Sequence, residues 1–262
     1  MSITFTIMGS GNSAGTPSVG NFWGNCDPDE PKNRRTRPSA LVQSETTTIV
    51  IDTGPDFREQ VNRHDVSDID GVLYTHSHGD HIYGMDDLRI YRLRNKHLVD
   101  VYGTKETLGE MQARFEYLFI QKADIYPQVL RPTILSPDDM GKPMIIGDIE
   151  FIPFIQDHGT CKSLGFRFGN LAYSTDMVAL DDKAVDILRG VENWIADGSG
   201  YKMPKNIVHC TLKELYKLNE DINAQRIYMT HLTPAMDYQT LLNETPDNYY
   251  PAYDGLSFKV QY

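Results

Sequence analysis

The strongest chemical signal in the sequence is the run Thr75-His76-Ser77-His78-Gly79-Asp80-His81. It directly follows the apolar segment Val72–Tyr74, which is typical of a buried strand. In an extended chain residues two apart point the same way, so His76, His78 and Asp80 can converge on one side. Imidazole and carboxylate groups are the ligands that zinc and similar divalent ions prefer. The run therefore predicts a metal site, and it holds too many candidate ligands for a single ion.

More distant residues share one context with this run, because each of them lies just after a predicted strand. They are His158, Asp176 and His231, which follow Ile149–Ile155, Leu171–Thr175 and Ile227–Thr230. Strand ends at one edge of a sheet are where sites assemble in α/β proteins. One such residue alone is more often a structural hydrogen-bonding group, whereas three in the same context favour metal ligands.

The order of these motifs resembles that of the metallo-β-lactamase superfamily. The motifs are His-x-His-x-Asp-His, then an isolated His, a Thr-Asp and a Thr-His. The resemblance extends from Ile3 to about Val260. It implies an α/β fold, an αββα sandwich of two mixed β-sheets flanked by helices, with two divalent ions, Zn²⁺ or Mn²⁺, at the edge between its layers. It implies that His76, His78 and His158 bind the first ion, that Asp80, His81 and His231 bind the second, and that Asp176 bridges both. Asp80 is thereby also a candidate catalytic residue.

Two segments near the start of the chain have alternative interpretations. The glycine-rich loop Gly9–Pro17 can let its backbone N–H groups hold an anion, or it can be a tight turn. The basic stretch Pro31–Leu41 contains Arg34, Arg35 and Arg37 in a chain whose net charge is −11. Composition alone favours a solvated loop there, and a phosphate-binding patch is the alternative.

Together these segments resemble the superfamily branch that contains the cyclic phosphate phosphodiesterases of the carbon–phosphorus lyase pathway and, more distantly, ribonuclease Z. Met85–Arg89 and His209 fit the former branch. The resemblance implies that His209 assists the leaving group and that Asp197 orients it or lines the pocket. From the residues alone, His209 is equally a residue that flanks the next helix. The candidates for holding the phosphate are Arg34, Arg35, Arg37 and Arg89.

The cysteines depart from that branch, whose members carry a zinc-binding cysteine cluster after the glycine loop. The corresponding stretch here, Asn21–Cys26, has one cysteine, and a single thiol cannot close a structural zinc site. We therefore expect no structural zinc. The other two cysteines, Cys161 and Cys210, are widely spaced. An odd, scattered set argues against a disulfide framework and predicts a reducing, cytoplasmic location.

These features predict a two-metal hydrolase that acts on small cyclic or nucleotide-like phosphodiesters, with attack by a hydroxide shared between the ions. The alternatives are a thioester hydrolase of the glyoxalase II type, a ribonuclease Z-like phosphodiesterase on RNA, and a non-enzymatic metal-dependent binding module. The 25 basic and 36 acidic residues disfavour general nucleic-acid binding, which needs a basic surface. No apolar run reaches the ~18 residues of a membrane span. A homodimer is an alternative to a monomer.

The elements that must position these residues are short strands and interspersed helices. Helices are predicted from about Thr104 to Phe119 and from Thr211, where Thr211 and Glu214 form a capping box. The predicted strands are Ile3–Met8, Ala40–Gln43, Thr47–Asp52, Gly71–Thr75, Ile149–Ile155, Ser163–Phe168, Leu171–Thr175, Asn193–Asp197 and Arg226–Thr230. No break in composition divides the chain, so one domain over residues 1–262 is favoured over two α/β domains.

Overall fold

The computed structural model describes residues 3–121 and 126–262, and these residues form two mixed β-sheets of seven strands each. The strands in chain order are β1 (Ile3–Gly9), β2 (Ser39–Gln43), β3 (Thr48–Ile51), β4 (Gly71–Leu73), β5 (Val99–Gly103), β6 (Leu130–Ile134), β7 (Met144–Ile146), β8 (Ile149–Asp157), β9 (Lys162–Phe168), β10 (Leu171–Ser174), β11 (Asn193–Asp197), β12 (Arg226–Thr230), β13 (Tyr249–Pro251) and β14 (Ser257–Val260). The helices are α1 (Phe57–Arg63), α2 (Gly79–Ile82), α3 (Leu88–Asn95), α4 (Lys105–Arg114), α5 (Glu116–Phe119), α6 (Asp182–Leu188), α7 (Leu212–Ile222) and α8 (Tyr238–Glu244).

Each sheet has a parallel half and an antiparallel half. The first sheet has the order β14-β1-β2-β3-β4-β5-β6 and is parallel from β3 to β6. The second has the order β13-β12-β11-β10-β9-β8-β7 and is parallel from β10 to β13. The carboxyl ends of parallel neighbours lie at the same edge of a sheet, so the loops after these strands can meet.

Central strands such as β3, β4 and β11 bury both faces, and alternate residues serve different layers. In β3, Ile49 and Ile51 face the core between the sheets, whereas Val50 faces the layer of α1, α3 and α4. The second sheet packs its outer face against α6, α7 and α8 through residues such as Trp194. The predicted αββα sandwich is therefore confirmed. The single-domain prediction includes Met1, Ser2 and residues 122–125, which lie outside the described residues, and it stays a prediction.

The helix predicted over Thr104–Phe119 is wrong in one respect, because it is two helices. Thr104 caps α4 as expected, since its hydroxyl accepts from the N–H of Thr107. Phe115 then leaves the helical conformation, with φ −128° and ψ 38°. The break lets α5 turn toward the first sheet, where the carbonyl of Leu118 accepts from the N–H of Val129. None of the helices in residues 3–121 and 126–262 is long and apolar enough to cross a membrane.

Candidate metal centre

The histidine run lies where the first sheet ends. After β4 the chain stays extended through His76 and His78, and α2 then begins at Gly79 with His78 as its N-cap residue. His76 and His81 are buried, whereas His78 is exposed. The change from extended chain to helix turns Asp80 and His81 away from the first two histidines. One short segment therefore serves two neighbouring positions.

The structure brings all seven predicted ligands together in two sets of donor atoms. The first set is His76, His78, His158 and Asp176, and the second is Asp80, His81, Asp176 and His231. Within each set the donor atoms lie within 4.8 Å of one another. Asp176 belongs to both sets and offers a different carboxylate oxygen to each.

The distances from Asp176 assign one oxygen to each set. Its Oδ2 lies 3.7 Å from Nε2 of His76 and 3.6 Å from Nε2 of His158. Its Oδ1 lies 3.4 Å from Nε2 of His81 and 3.3 Å from Nε2 of His231. The carboxylate thus lies between the two groups of histidines, which is the position of a bridging ligand.

These residues fit divalent ions. The Nε2 atoms of His76 and His81 are buried and have no hydrogen-bond partner within the described chain, and such buried polar atoms need an explanation. Zinc–nitrogen bonds of about 2.0–2.1 Å place tetrahedral ligand atoms roughly 3.3 Å apart. The separations of 3.3–3.7 Å around Asp176 are close to that value. Nitrogen and carboxylate donors are also the set that zinc and manganese accept.

Two of the ligand residues already have the protonation states that ligation requires, and a third does not. Burial and the neighbouring charge of His81 hold the pKa of His76 well below its usual range, so its imidazole is neutral. Burial opposes ionisation of Asp176, but the charges of His231 and His81 hold its pKa well below its usual range. Neutral imidazole and ionised carboxylate are the forms that bind metal. Burial opposes protonation of His81, but the charges of Asp176, Asp80 and Asp52 raise its pKa well above its usual range, so an ion must displace its proton.

Asp52 is a functional residue that the sequence interpretation missed. Its Oδ2 accepts hydrogen bonds from Nδ1 of His81 at 2.7 Å and from the hydroxyl of Thr75 at 2.7 Å. Its Oδ1 accepts from the N–H of Thr75 at 2.8 Å. A carboxylate on the far nitrogen of a ligating histidine fixes the ring and its tautomer. The available signal was its position, because Asp52 follows β3 as the ligands follow their own strands.

Three residues at the site have left-handed backbone conformations that are uncommon outside glycine. They are Asp52 with φ 60°, Asp176 with φ 51° and His231 with φ 59°. Each directly or closely follows the end of a strand, and Asp and His tolerate this region better than most residues do. The reversal of the backbone turns each side chain toward the shared edge of the sheets.

His209 and Asp197 form a pair beside the donor atoms. Nδ1 of His209 lies 2.7 Å from Oδ2 of Asp197, which is fully buried. The His209 ring stacks on His231, with 4.6 Å between ring centroids, and lies 5.2 Å from the ring of His158. Burial opposes protonation of His209, but the hydrogen bond to Asp197 raises its pKa to about 9. The predicted capping box of Thr211 and Glu214 is confirmed two residues further on.

The four candidate arginines lie in different surroundings. Arg35 is buried and donates to the carbonyl of Met236 at 2.7 Å, which joins the basic stretch to the loop after His231. Arg34 lies over the ring of Trp23. Arg37 pairs with Asp56 at 3.0 Å and Arg89 with Asp86 at 3.6 Å. No hydrogen bond or ion pair joins any of them to a ligand residue within the described ranges, and their role in substrate binding stays a prediction.

The glycine-rich loop lies next to the second set of donors. The N–H of Asn12 donates to the carbonyl of Leu232 at 3.1 Å, and the N–H of Leu232 donates to the carbonyl of Ser10 at 2.9 Å. Leu232 follows the ligand His231 directly. The loop is therefore placed to line the site, whichever of its two predicted roles it has.

The fold and the donor sets together define a class of protein. The family model for a beta-lactamase superfamily domain matches residues 47–232, so the chain belongs to the beta-lactamase superfamily. Within that superfamily it resembles the PhnP family. The crystal structure of a diphosphatase from the PhnP family is 30% identical, with a TM-score of 0.86, and the match covers 99% of this chain and 97% of that one.

Other comparisons are more distant or cover less. Zn²⁺-bound PqqB from Methylobacterium extorquens is 17% identical with a TM-score of 0.73, over 97% of this chain and 99% of that one. The short form of human tRNase Z is 15% identical with a TM-score of 0.68, and the match covers 99% of this chain and 100% of that one. At these identities the likeness shows the fold alone. An octanoyltransferase of Porphyromonas gingivalis is 29% identical over 95% of this chain, but the chain spans only 50% of that protein's length.

Proposed function

We propose that this protein is a binuclear phosphodiesterase that acts on small cyclic or nucleotide-like phosphodiesters. The observation that carries the proposal is the position of Asp176, which presents one oxygen to each donor set at 3.3–3.7 Å. Two divalent ions, when bound, would polarise the phosphoryl oxygens, lower the pKa of water and attract an anionic substrate. The similarity to the PhnP-family diphosphatase favours hydrolysis of a phosphate ester or phosphoanhydride over hydrolysis of other bonds.

The residues of the chain have separate tasks in this proposal. Asp80 and Asp176 are the anionic ligands, and the histidines of both sets would bind as neutral imidazoles, so His81 would release its proton as an ion binds. Asp52 keeps the ring of His81 oriented. Asp197 occupies Nδ1 of His209, so Nε2 is the nitrogen through which His209 would donate a proton to the departing oxygen. The glycine-rich loop encloses the site on the side of His231.

Leaving-group dependence tests the role of His209. The His209→Ala variant should keep its metal content but lose about 10²–10⁴-fold in turnover on substrates with a poor alkoxide leaving group. The loss should shrink with bis-p-nitrophenyl phosphate, because p-nitrophenolate departs without a proton. His97→Ala is the matched control, since His97 also pairs with a carboxylate, Asp68, at 3.1 Å on the surface. Equal losses on both kinds of substrate would contradict proton donation by His209.

Thioester hydrolysis is the second candidate. The chain is similar to a protein named as an octanoyltransferase, and acyl transfer, like thioester hydrolysis, proceeds by attack on a carbonyl carbon. Metal-loaded protein should hydrolyse bis-p-nitrophenyl phosphate and cyclic phosphodiesters faster than a lactoyl-glutathione-type thioester. A preference for the thioester would replace the first candidate with the second. Hydrolysis of tRNA precursors alone would instead favour the ribonuclease Z-like alternative.

The proposal includes further points that follow from the sequence. The ions are Zn²⁺ or Mn²⁺, two for each chain. The chain works as one domain and in the cytoplasm. General nucleic-acid binding is not expected at a net charge of −11. A homodimer stays an alternative to a monomer, and sedimentation of the metal-loaded protein separates the two.

A further inference from the structure

The ligand histidines differ in how their second ring nitrogen is held. Nδ1 of His81 bonds to Asp52, Nδ1 of His158 lies 2.6 Å from the carbonyl of Val208, and Nδ1 of His76 lies 3.0 Å from the hydroxyl of Thr75. His78 faces the site with Nδ1, which is 3.3 Å from Nε2 of His158. Its Nε2 has no hydrogen-bond partner among the described residues, and neither does the buried Nδ1 of His231, whose ring stacks on that of His209 instead. His78 is the exposed one of these two ligands, and no protein group holds its ring through the second nitrogen.

The backbone next to His78 is held instead. The hydroxyl of Ser77 donates to Oε2 of Glu110 at 2.6 Å, and Arg114 donates to the carbonyl of Ser77 at 2.6 Å. Arg114 also donates to Oε2 of Glu110 at 2.9 Å. Both side-chain and main-chain atoms of Ser77 are thus fixed by two charged residues one helical turn apart. We call Ser77, Glu110 and Arg114 the Ser77 clamp.

The helix that carries the clamp is firmly anchored. Thr104 caps the start of α4, and Leu108 and Met111 are buried in the same core as Tyr74, directly before the histidine run. Because β5 lies beside β4 in the sheet, the helix after β5 is adjacent to the loop after β4. The clamp therefore fixes the loop to a rigid element, although its charged side chains are partly exposed.

We propose that Glu110 and Arg114 are positioning residues for His78, and that their contacts with Ser77 replace the hydrogen bond its ring lacks. The proposal rests on the proposed role of His78 as a metal ligand. Without the clamp, the peptide at Ser77 can rotate and carry Nδ1 of His78 away from the other donors. Removal of groups that orient metal ligands typically lowers metal affinity 10–100-fold. The loss of metal affinity should affect the donor set that contains His78 and leave the affinity of the set with Asp80, His81 and His231 unchanged.

Metal affinity of the intact protein tests this inference without measuring catalysis. Zinc is titrated against a chromophoric chelator, and cobalt substitution records the absorption of each site. Arg114→Ala should lower the affinity for one of the two ions about 10–100-fold and change the cobalt spectrum of that site only. Glu110→Gln keeps an acceptor for the Ser77 hydroxyl and should retain most of the affinity. The melting temperature of the metal-free protein should not change, because exposed ion pairs contribute little to stability.

Arg189→Ala is the matched control, because Arg189 bridges the Asp186 carboxylate and the carbonyl of Asp221 in the same manner. Asp186 lies on α6 and Arg189 directly follows that helix, and no hydrogen bond or ion pair joins either residue to a donor set within the described chain. Loss of this bridge should therefore leave both affinities unchanged. Equal affinities in Arg114→Ala and Arg189→Ala would overturn the positioning role while the parent still binds two ions. A parent protein that binds no ion would overturn the metal centre itself, and the inference with it.

Discussion

Asp176 is the residue on which both donor sets depend, since each of its oxygens faces a different set. Asp176→Ala should therefore lower the metal content from two equivalents to less than one, while the loss of a ligand in one set, as in His158→Ala, should spare the other ion. Elemental analysis of protein purified without chelator measures the metal content of both variants. Loss of a single equivalent in Asp176→Ala would contradict the bridging position.

The cysteines provide a second test at the same scale. Cys26 donates to the carbonyl of Pro234 and lies 4.0 Å from Arg35, whereas Cys210 is buried among apolar residues. No cysteine of the described chain belongs to a group of converging donors. The triple Cys→Ser variant should fold, keep its metal content and retain most of its activity. A metal equivalent lost in Cys26→Ser alone would reveal a structural zinc after all.

The convergence of the seven candidate ligands could be predicted from two kinds of signal. Spacing within a short segment indicated His76, His78, Asp80 and His81, whereas His158, Asp176 and His231 were indicated by their places after strands and by the family resemblance. Asp52 had only its position after β3 as a signal, since its role depends on reaching His81, 29 positions further along the chain. The arginines illustrate the same limit. A dense basic stretch suggests a phosphate site, yet Arg35 is buried against the carbonyl of Met236, a contact that only the folded chain creates.

At the scale of single elements, the start of α7 connects stability to the site. The hydroxyl of Thr211 accepts from the N–H of Glu214, whose carboxylate accepts from the N–H of Thr211. Thr211→Ala should lower the free energy of unfolding by about 1 kcal/mol in urea titrations. It should also reduce turnover, because His209 lies two residues before this cap.

Asp181→Ala is the control for that prediction, since Asp181 caps α6 through the N–H of Ala184 at 2.8 Å. It should cause comparable destabilisation with unchanged turnover. If both variants lost turnover equally, the effect would come from stability and not from the placement of His209.

Elements with strong apolar patterns could be predicted, and those at the edges of the sheets were harder to recognise. β6 contains Pro132 and is largely exposed, and β7 and β13 have three residues each. Edge strands bury little and tolerate proline, so their sequences lack the usual signal. β14 and the interior strand β5, in contrast, alternate buried with more exposed residues; neither was predicted, although both could have been found.

At the scale of the whole molecule, the donor sets join the two sheets. His76, His78, Asp80 and His81 follow the first sheet, whereas His158, Asp176 and His231 follow the second. Bound ions would therefore cross-link the halves of the sandwich. Zinc at about 1,000 times its dissociation constant should raise the free energy of unfolding by about 4 kcal/mol for each site.

Urea unfolding with zinc and with excess chelator measures this effect. Asp176→Ala should abolish most of the difference between the two conditions. An unchanged unfolding midpoint in the parent protein would mean that the folded chain does not bind zinc.

The left-handed conformations of Asp52, Asp176 and His231 also have an evolutionary consequence. Such backbone geometry costs roughly 1 kcal/mol or more for a residue with a side chain, and glycine adopts it without that cost. A descendant chain relieved of selection for metal binding would therefore gain stability by drifting to glycine at these three positions. Glycine there, in an otherwise similar sequence, would mark a lineage that has kept the sandwich and lost its chemistry.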